Sequence, residues 1–195
     1  ARSHRFPGGN TAVPSWNRDD RQLAATEEFL RAEKIVLRRL AVRRVEKRFE
    51  LRYEVWNAGV GHSFPAGTTD SNQAWIEIRV TDRRGRVIFE DDSARFHTEF
   101  VDRAGVATDR RNTVTEAIAV RSSTLLTVNE IRPLHYTFDI PDAAAFPLKA
   151  TVAVKWRKYP DSLMSWLRPE RKPVAPITVL ASNVTTLNDH PPWRR

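Results

Sequence analysis

The feature that most constrains this chain is a two-residue period. Between residues 48 and 55, Phe49, Leu51, Tyr53 and Val55 alternate with Arg48, Glu50, Arg52 and Glu54. Successive side chains of a β-strand leave on opposite faces, so the pattern predicts a strand with one dry face and one wet face. The same alternation recurs in Ala74, Ile76, Ile78 and Val80, in Leu134, Tyr136, Phe138 and Ile140, and in Ala150, Val152, Val154 and Trp156. Ile177 and Val179 suggest a further inward pair, and weaker strands are expected near 35–45, 86–90, 113–120 and 123–128.

Turn chemistry separates these runs. Asp82-Arg83-Arg84-Gly85 and Asp102-Arg103-Ala104-Gly105 each place Asp first and Gly last, as a type I turn between hairpin strands requires. Many short alternating strands with turns between them predict a mainly β chain, an immunoglobulin-like antiparallel β-sandwich. Nothing alternates strand with helix, which argues against a parallel α/β sheet.

The sandwich is expected over residues 35–158. Residues 1–34 read as an extended arm followed by one short helix over 19–33. Asp19 and Gln22 resemble a capping box there, and Glu27 to Arg31 is a favourable i,i+4 pair. Residues 159–195 read as an irregular Pro-rich tail with a final strand near 175–181, since Pro160, Pro169, Pro173, Pro176, Pro191 and Pro192 interrupt it.

Composition narrows function mainly by exclusion. The 195 residues contain no cysteine, which removes disulfides, thiolate catalysis, Cys-based zinc sites and covalently attached haem on this chain. No G-x-S-x-G, P-loop or H-E-x-x-H occurs, so the chain reads as no enzyme. No run approaches the roughly 18 apolar residues of a membrane-spanning helix. The formal net charge of +8, mostly Arg, points to an acidic protein partner or to contact with an anionic membrane surface. Nucleic acid is not favoured, because the basic residues are spread along the chain and interleaved with Asp and Glu.

Two histidines stand out among the five. His4-Arg5-Phe6-Pro7-Gly8-Gly9 and His62-Ser63-Phe64-Pro65-Ala66-Gly67 are copies of one pattern, H-x-F-P-small-G. Pro fixes φ and Gly permits positive φ, so each turn presents an imidazole in a set direction beside an anchoring Phe. The residues leave two readings open: a ligating imidazole, or a ring that caps a neighbouring carbonyl. Phe6, Trp16, Trp75, Trp166 and Trp193 are interface candidates. Trp75 falls on the outward side of its strand, while Trp16, Trp166 and Trp193 lie in segments that read as irregular.

Residues 57–92, NAGVGHSFPAGTTDSNQAWIEIRVTDRRGRVIFEDD, resemble the β-sandwich domain that follows the haem-binding region in a class of bacterial multihaem c-type cytochromes. The shared marks are a G-H-x-F-P-x-G turn, a strand opening on Trp, and a D-x-x-G hairpin. The segment SHRFPGGNTAVP (3–14) is similar to the link between the last haem motif and that sandwich, and the resemblance extends over most of residues 3–158. It implies a periplasmic or otherwise extracytoplasmic place in an electron-transfer assembly, with His4 and His62 as candidate haem axial ligands. It also implies haem c on a partner or on an upstream segment, since this chain has no attachment motif. The partner would be a cytochrome or a membrane complex. Two alternatives stand beside it: a purely structural accessory subunit of a respiratory or photosynthetic membrane complex, and a carbohydrate- or nucleic-acid-binding module.

Overall fold

The computed structural model describes residues 8–109, 111–167, 169–170 and 174–189. In chain order the elements are α1 (Ala12–Asn17), α2 (Asp20–Arg31), β1 (Ile35–Val45), β2 (Arg48–Asn57), β3 (Gln73–Thr81), β4 (Val87–Asp91), β5 (Arg95–Phe96), β6 (Thr98–Val101), α3 (Thr113–Glu116), β7 (Ala119–Ser123), β8 (Ile131–Asp139), β9 (Leu148–Arg157), α4 (Asp161–Leu167) and β10 (Ile177–Leu187).

Two antiparallel sheets face each other. One runs β1-β2-β8; the other runs β10-β9-β3-β4, with β5 sharing the free side of β3. The chain crosses between sheets after β2 and again after β8, which is the Greek-key arrangement of an immunoglobulin-like sandwich. Strands β6 and β7 form a separate two-stranded sheet. The alternation that predicts the fold is the alternation that fills the core. Phe49, Leu51, Tyr53 and Val55 of β2 are buried with Ile76, Ile78 and Val80 of β3 and Val152, Val154 and Trp156 of β9. Thr185 on β10 links the sheets: its hydroxyl lies 3.2 Å from the Tyr53 hydroxyl and accepts from Arg39 Nη1 on β1 at 3.3 Å.

Both D-x-x-G turns form as expected. Gly85 and Gly105 adopt φ of 79° and 74°, which only glycine takes without strain, and their N–H groups bond back to Asp82 and Asp102. The helix after Asp19 also forms, with the Asp19 carboxylate accepting from Gln22 N at 2.9 Å. Gln22 does not complete a capping box: its side chain bonds Thr26 within the helix.

Several expectations are corrected. The N-terminal segment is not extended throughout, because the Asn10 side chain accepts from the N–H groups of Ala12 and Val13 and starts α1. Pro14 falls in the first turn of that helix, where its missing N–H costs nothing. The described chain holds four short helices rather than one. Residues 113–116 form a helical turn instead of a strand, since Thr113 Oγ1 bonds the Asp109 carbonyl and Asn112 Oδ1 accepts from Asp109 N. Within 123–128 only Ser123, the last residue of β7, belongs to a strand, and Leu126 makes an isolated bridge to Phe64.

The C-terminal part is less irregular than its prolines suggest. It contains α4 and an eleven-residue β10 that pairs with β9 from Ile177↔Arg157 to Leu187↔Leu148. The inward side chains near its start are Thr178 and Leu180, while Ile177 and Val179 face out. A register shift between Val179 and Ala181 then changes the parity, so no single apolar period survives along the strand.

Asp82 shows how much a turn residue does. Its buried carboxylate accepts from Arg84 N (2.8 Å), Arg86 N (2.9 Å) and Arg86 Nε (2.8 Å), and Ala145 N lies at 3.4 Å. Burial alone would push its pKa up; the backbone N–H and guanidinium of Arg86, with the N–H groups of Ala145 and Arg84, outweigh burial and hold the carboxyl at about 2. A depressed carboxyl stabilises the fold above its unfolded pKa and loses that contribution as pH falls. Acid unfolding followed by circular dichroism should therefore include a loss between the ordinary 3.8 and about 2 that Asp82→Asn flattens, the variant being less stable at neutral pH.

Candidate functional site

The site is built where β2 ends. Asn57, 1% exposed, closes that strand and turns its side chain into the loop that follows. Its Nδ2 donates to the His62 carbonyl at 2.9 Å and to the Leu126 carbonyl at 3.2 Å, and its Oδ1 accepts from Val60 N at 3.1 Å. The loop is pinned from the other side by Asn72, whose Nδ2 donates to the Ala66 carbonyl at 2.8 Å. Between these clamps Phe64 exchanges backbone hydrogen bonds with Leu126, both at 2.8 Å. Its ring packs 5.7 Å from Phe96 and 6.1 Å from Trp156. The Phe64–Pro65 peptide is cis, and Gly67 has φ of 74°.

His62 is thereby presented at the surface of a turn whose backbone is held at both ends. Its Nδ1 lies 3.0 Å from the Ser63 carbonyl. A proton on Nδ1 makes that hydrogen bond and leaves the lone pair on Nε2, as a ligating imidazole requires.

Beside the turn is a cleft of about 480 Å³. Phe29 and Leu30 at the end of α2 form one wall, Trp156 and Leu180 the floor, and the segment from Gly59 to Gly67 the rim. Gly9 reaches the same cleft, and its carbonyl accepts from Trp156 Nε1 at 3.1 Å. The ends of both H-x-F-P segments therefore meet one apolar depression. Lys34 ties the wall to the rim: its carbonyl accepts from Ala58 N and Gly59 N at 3.0 Å each, and its ammonium donates to the Phe29 carbonyl at 3.3 Å.

The remaining candidates are placed as follows. His4, Phe6 and Trp193 lie outside the described residues. Trp75 occupies the outward side of β3, as expected, but it is 6% exposed and the Arg95 guanidinium stands 5.4 Å from its ring, so it offers no free face. Trp16 is on α1, stacked on Tyr159 at 6.3 Å and packed in a small second core with Ala12, Met164 and Ala175. Trp166 is on α4 and is 56% exposed. Sequence reasoning missed Asn57, Lys34 and Trp156 as parts of the site. The one available signal was the Asn at the end of the clearest strand, one residue before a Gly-x-Gly loop.

The cleft is walled mainly by apolar side chains. Among the described residues its lining has two ionisable side chains, His62 and Lys34, and no carboxylate. Among the described residues no cluster of three or more His, Asp or Glu side chains converges on a metal position. A haem carried by another chain fits this donor set, with one imidazole nitrogen beside an apolar wall. A second, more polar depression of about 600 Å³ lies over Trp75. Its two arginines are ion-paired, Arg95 with Asp92 at 2.8 Å and Arg157 with Asp161 outside the depression at 2.6 Å.

The fold has a counterpart among solved structures. A penta-haem cytochrome c552 from Thermochromatium tepidum superposes with a TM-score of 0.67 at 16% identity, over 83% of this chain and 41% of that one. The chain thus spans about two fifths of that cytochrome, and the likeness is one of fold. A proposed β-galactosidase from Bacteroides fragilis aligns over 80% of this chain and 18% of its own, at 10% identity and a TM-score of 0.39, which is too low to carry an argument. No family model matches the sequence, and no curated protein matches it.

Asn57 is the positioning residue on which the His62 turn depends. Asn57→Ala removes the side-chain partner of the His62 carbonyl and of the Val60 N–H and leaves the Leu126 carbonyl with the Phe64 N–H, an expected cost of about 1–3 kcal/mol. Urea unfolding should show that loss. Amide exchange should quicken at Val60 and Phe64, while amides in the β3–β9 ladder keep their order of protection.

Proposed function

We propose that this chain is a non-catalytic, extracytoplasmic β-sandwich of an electron-transfer assembly, which docks its His62 cleft against a haem-bearing partner. The observation that carries the reading is the meeting of Gly9 and the His62–Gly67 turn on one apolar cleft, with the His62 ring oriented through Nδ1. The cytochrome fold counterpart supports it. The haem would supply the one-electron couple. This chain would orient an imidazole, exclude water from one haem edge and fix the distance of approach.

The charge distribution favours an acidic partner. Strand β1 carries Arg38, Arg39, Arg43 and Arg44 and no carboxylate, in a chain of net charge +8. Steering by such a surface raises association rates and weakens with salt. The imidazole itself adds a directional contact that salt does not screen.

A second reading, a structural subunit without a redox part, is favoured by one observation. The segment around β6, α3 and β7 exposes Val106 (60%), Val114 (79%), Ile118 (62%) and Val120 (54%), a row of aliphatics better suited to a permanent contact than to water.

Affinity capture of the tagged full chain from its native membranes and periplasm separates the two. The redox reading expects a c-type haem protein to co-purify, with its retention lost on His62→Ala and reduced at least about tenfold by high salt. Capture of a haem-free complex that His62→Ala leaves intact supports the structural reading, and recovery of the free monomer alone overturns both.

A further inference from the structure

The cleft is one-sided in charge. Among the described residues Lys34 and His62 are the ionisable ones lining it, both basic, and no Asp or Glu lines its walls. The Lys34 ammonium lies 2.9 Å from the centroid of the Phe29 ring and donates to the Phe29 carbonyl. An ammonium has three donors, and among the described residues the other two meet no acceptor. Lys34 is half-buried and forms no ion pair there.

Partial desolvation lowers the Lys34 pKa from the ordinary lysine value, with the ammonium at the edge of the cleft and no carboxylate beside it among the described residues. An anion placed beside it would reverse that effect through a charge-assisted hydrogen bond. The rest of the cleft cannot take a strongly hydrated anion. Phe29, Leu30, Val60, Pro65, Trp156 and Leu180 face it, and the rim glycines leave it open to an object wider than a single side chain. Apolar walls with one unsatisfied cation select an apolar body that ends in an acid.

We propose that this cleft binds an apolar molecule bearing a carboxylate, its body against Trp156 and Leu180 and its carboxylate on Lys34. The propionate edge of a porphyrin and the end of a fatty acyl chain share this chemistry. The inference rests on the same cleft as the haem-docking reading and deepens it, but it requires no iron, so the two can fail separately.

The test uses the full chain and two acid–ester pairs. Iron-free protoporphyrin IX and its dimethyl ester are titrated by porphyrin fluorescence, and octanoate and methyl octanoate by calorimetry. At least one acid should bind about tenfold more tightly than its ester, a difference that fits one charge-assisted contact. The preference should disappear in Lys34→Met and return in Lys34→Arg. Equal binding of acid and ester to the unaltered chain overturns the proposal whether or not the variants fold, as does failure of both acids to bind or a preference that survives Lys34→Met. A preference confined to protoporphyrin assigns the occupant to a haem edge. One confined to octanoate assigns it to an acyl chain, which upholds the Lys34 site and removes the haem reading of the cleft.

Discussion

The contact between the apolar faces of β2 and of the β3–β9 pair carries the rest of this structure. Each sheet is apolar on one side, so neither is stable in water until the other covers it. Immunoglobulin-like sandwiches often reinforce this contact with an inter-sheet disulfide, and a chain without cysteine has none. Here the close packing of Leu51, Tyr53 and Val55 against Ile76, Ile78, Val152 and Val154 has to serve alone, helped by the Tyr53–Thr185 hydrogen bond. That bond also explains how a strand as polar as β10 is held. Thr185 is buried at 3% exposure and finds both Tyr53 and Asn183 as partners.

Legibility in the sequence followed the apolar period. Strands β2, β3, β8 and β9 alternate cleanly, and each of them appears with the predicted side chains inward. Strand β10 broke the rule twice: Thr178 and Thr185 face in, and a register shift near Leu180 changes the parity midway. An apolar period cannot report an inward threonine. Helix α1 escaped notice for another reason, since its start depends on one Asn10 carboxamide rather than on any property of the helical residues. The turn at 113–116 likewise rests on Asn112, Asp109 and Thr113 side chains bonding nearby backbone.

The site was legible only in its most conspicuous residue. The H-x-F-P pattern pointed to His62 and to a rigid turn, and the structure ties that turn down through Asn57, Asn72 and the Leu126 bridge. The pattern said nothing about what the turn faces. The cleft is assembled from the end of α2, the start of β1, the floor of β9 and β10, and Gly9, pieces separated by as many as 171 positions between Gly9 and Leu180. Tertiary assembly of that kind leaves no local period. The expectation for Trp75 failed similarly: alternation assigned it correctly to the outer side of β3, but it could not reveal that Arg95 would fold back over the ring.

The position of the cleft follows from the sandwich itself. Where β2 ends and β1 begins, the two sheets part, and the core would open to water unless something closed it. Phe64 is the plug, inserted between Phe96 and Trp156 and held by Asn57 and by the Leu126 bridge. Plugging the core with one residue of a turn necessarily displays its neighbours, and so His62 and Lys34 stand at the edge of the same opening. A turn tied this firmly to the core has already lost its conformational freedom on folding. A partner that docks there does not have to order it again, which leaves more of the contact energy for binding. The residue that seals the fold is therefore also the reason that its neighbours form a surface suited to recognition.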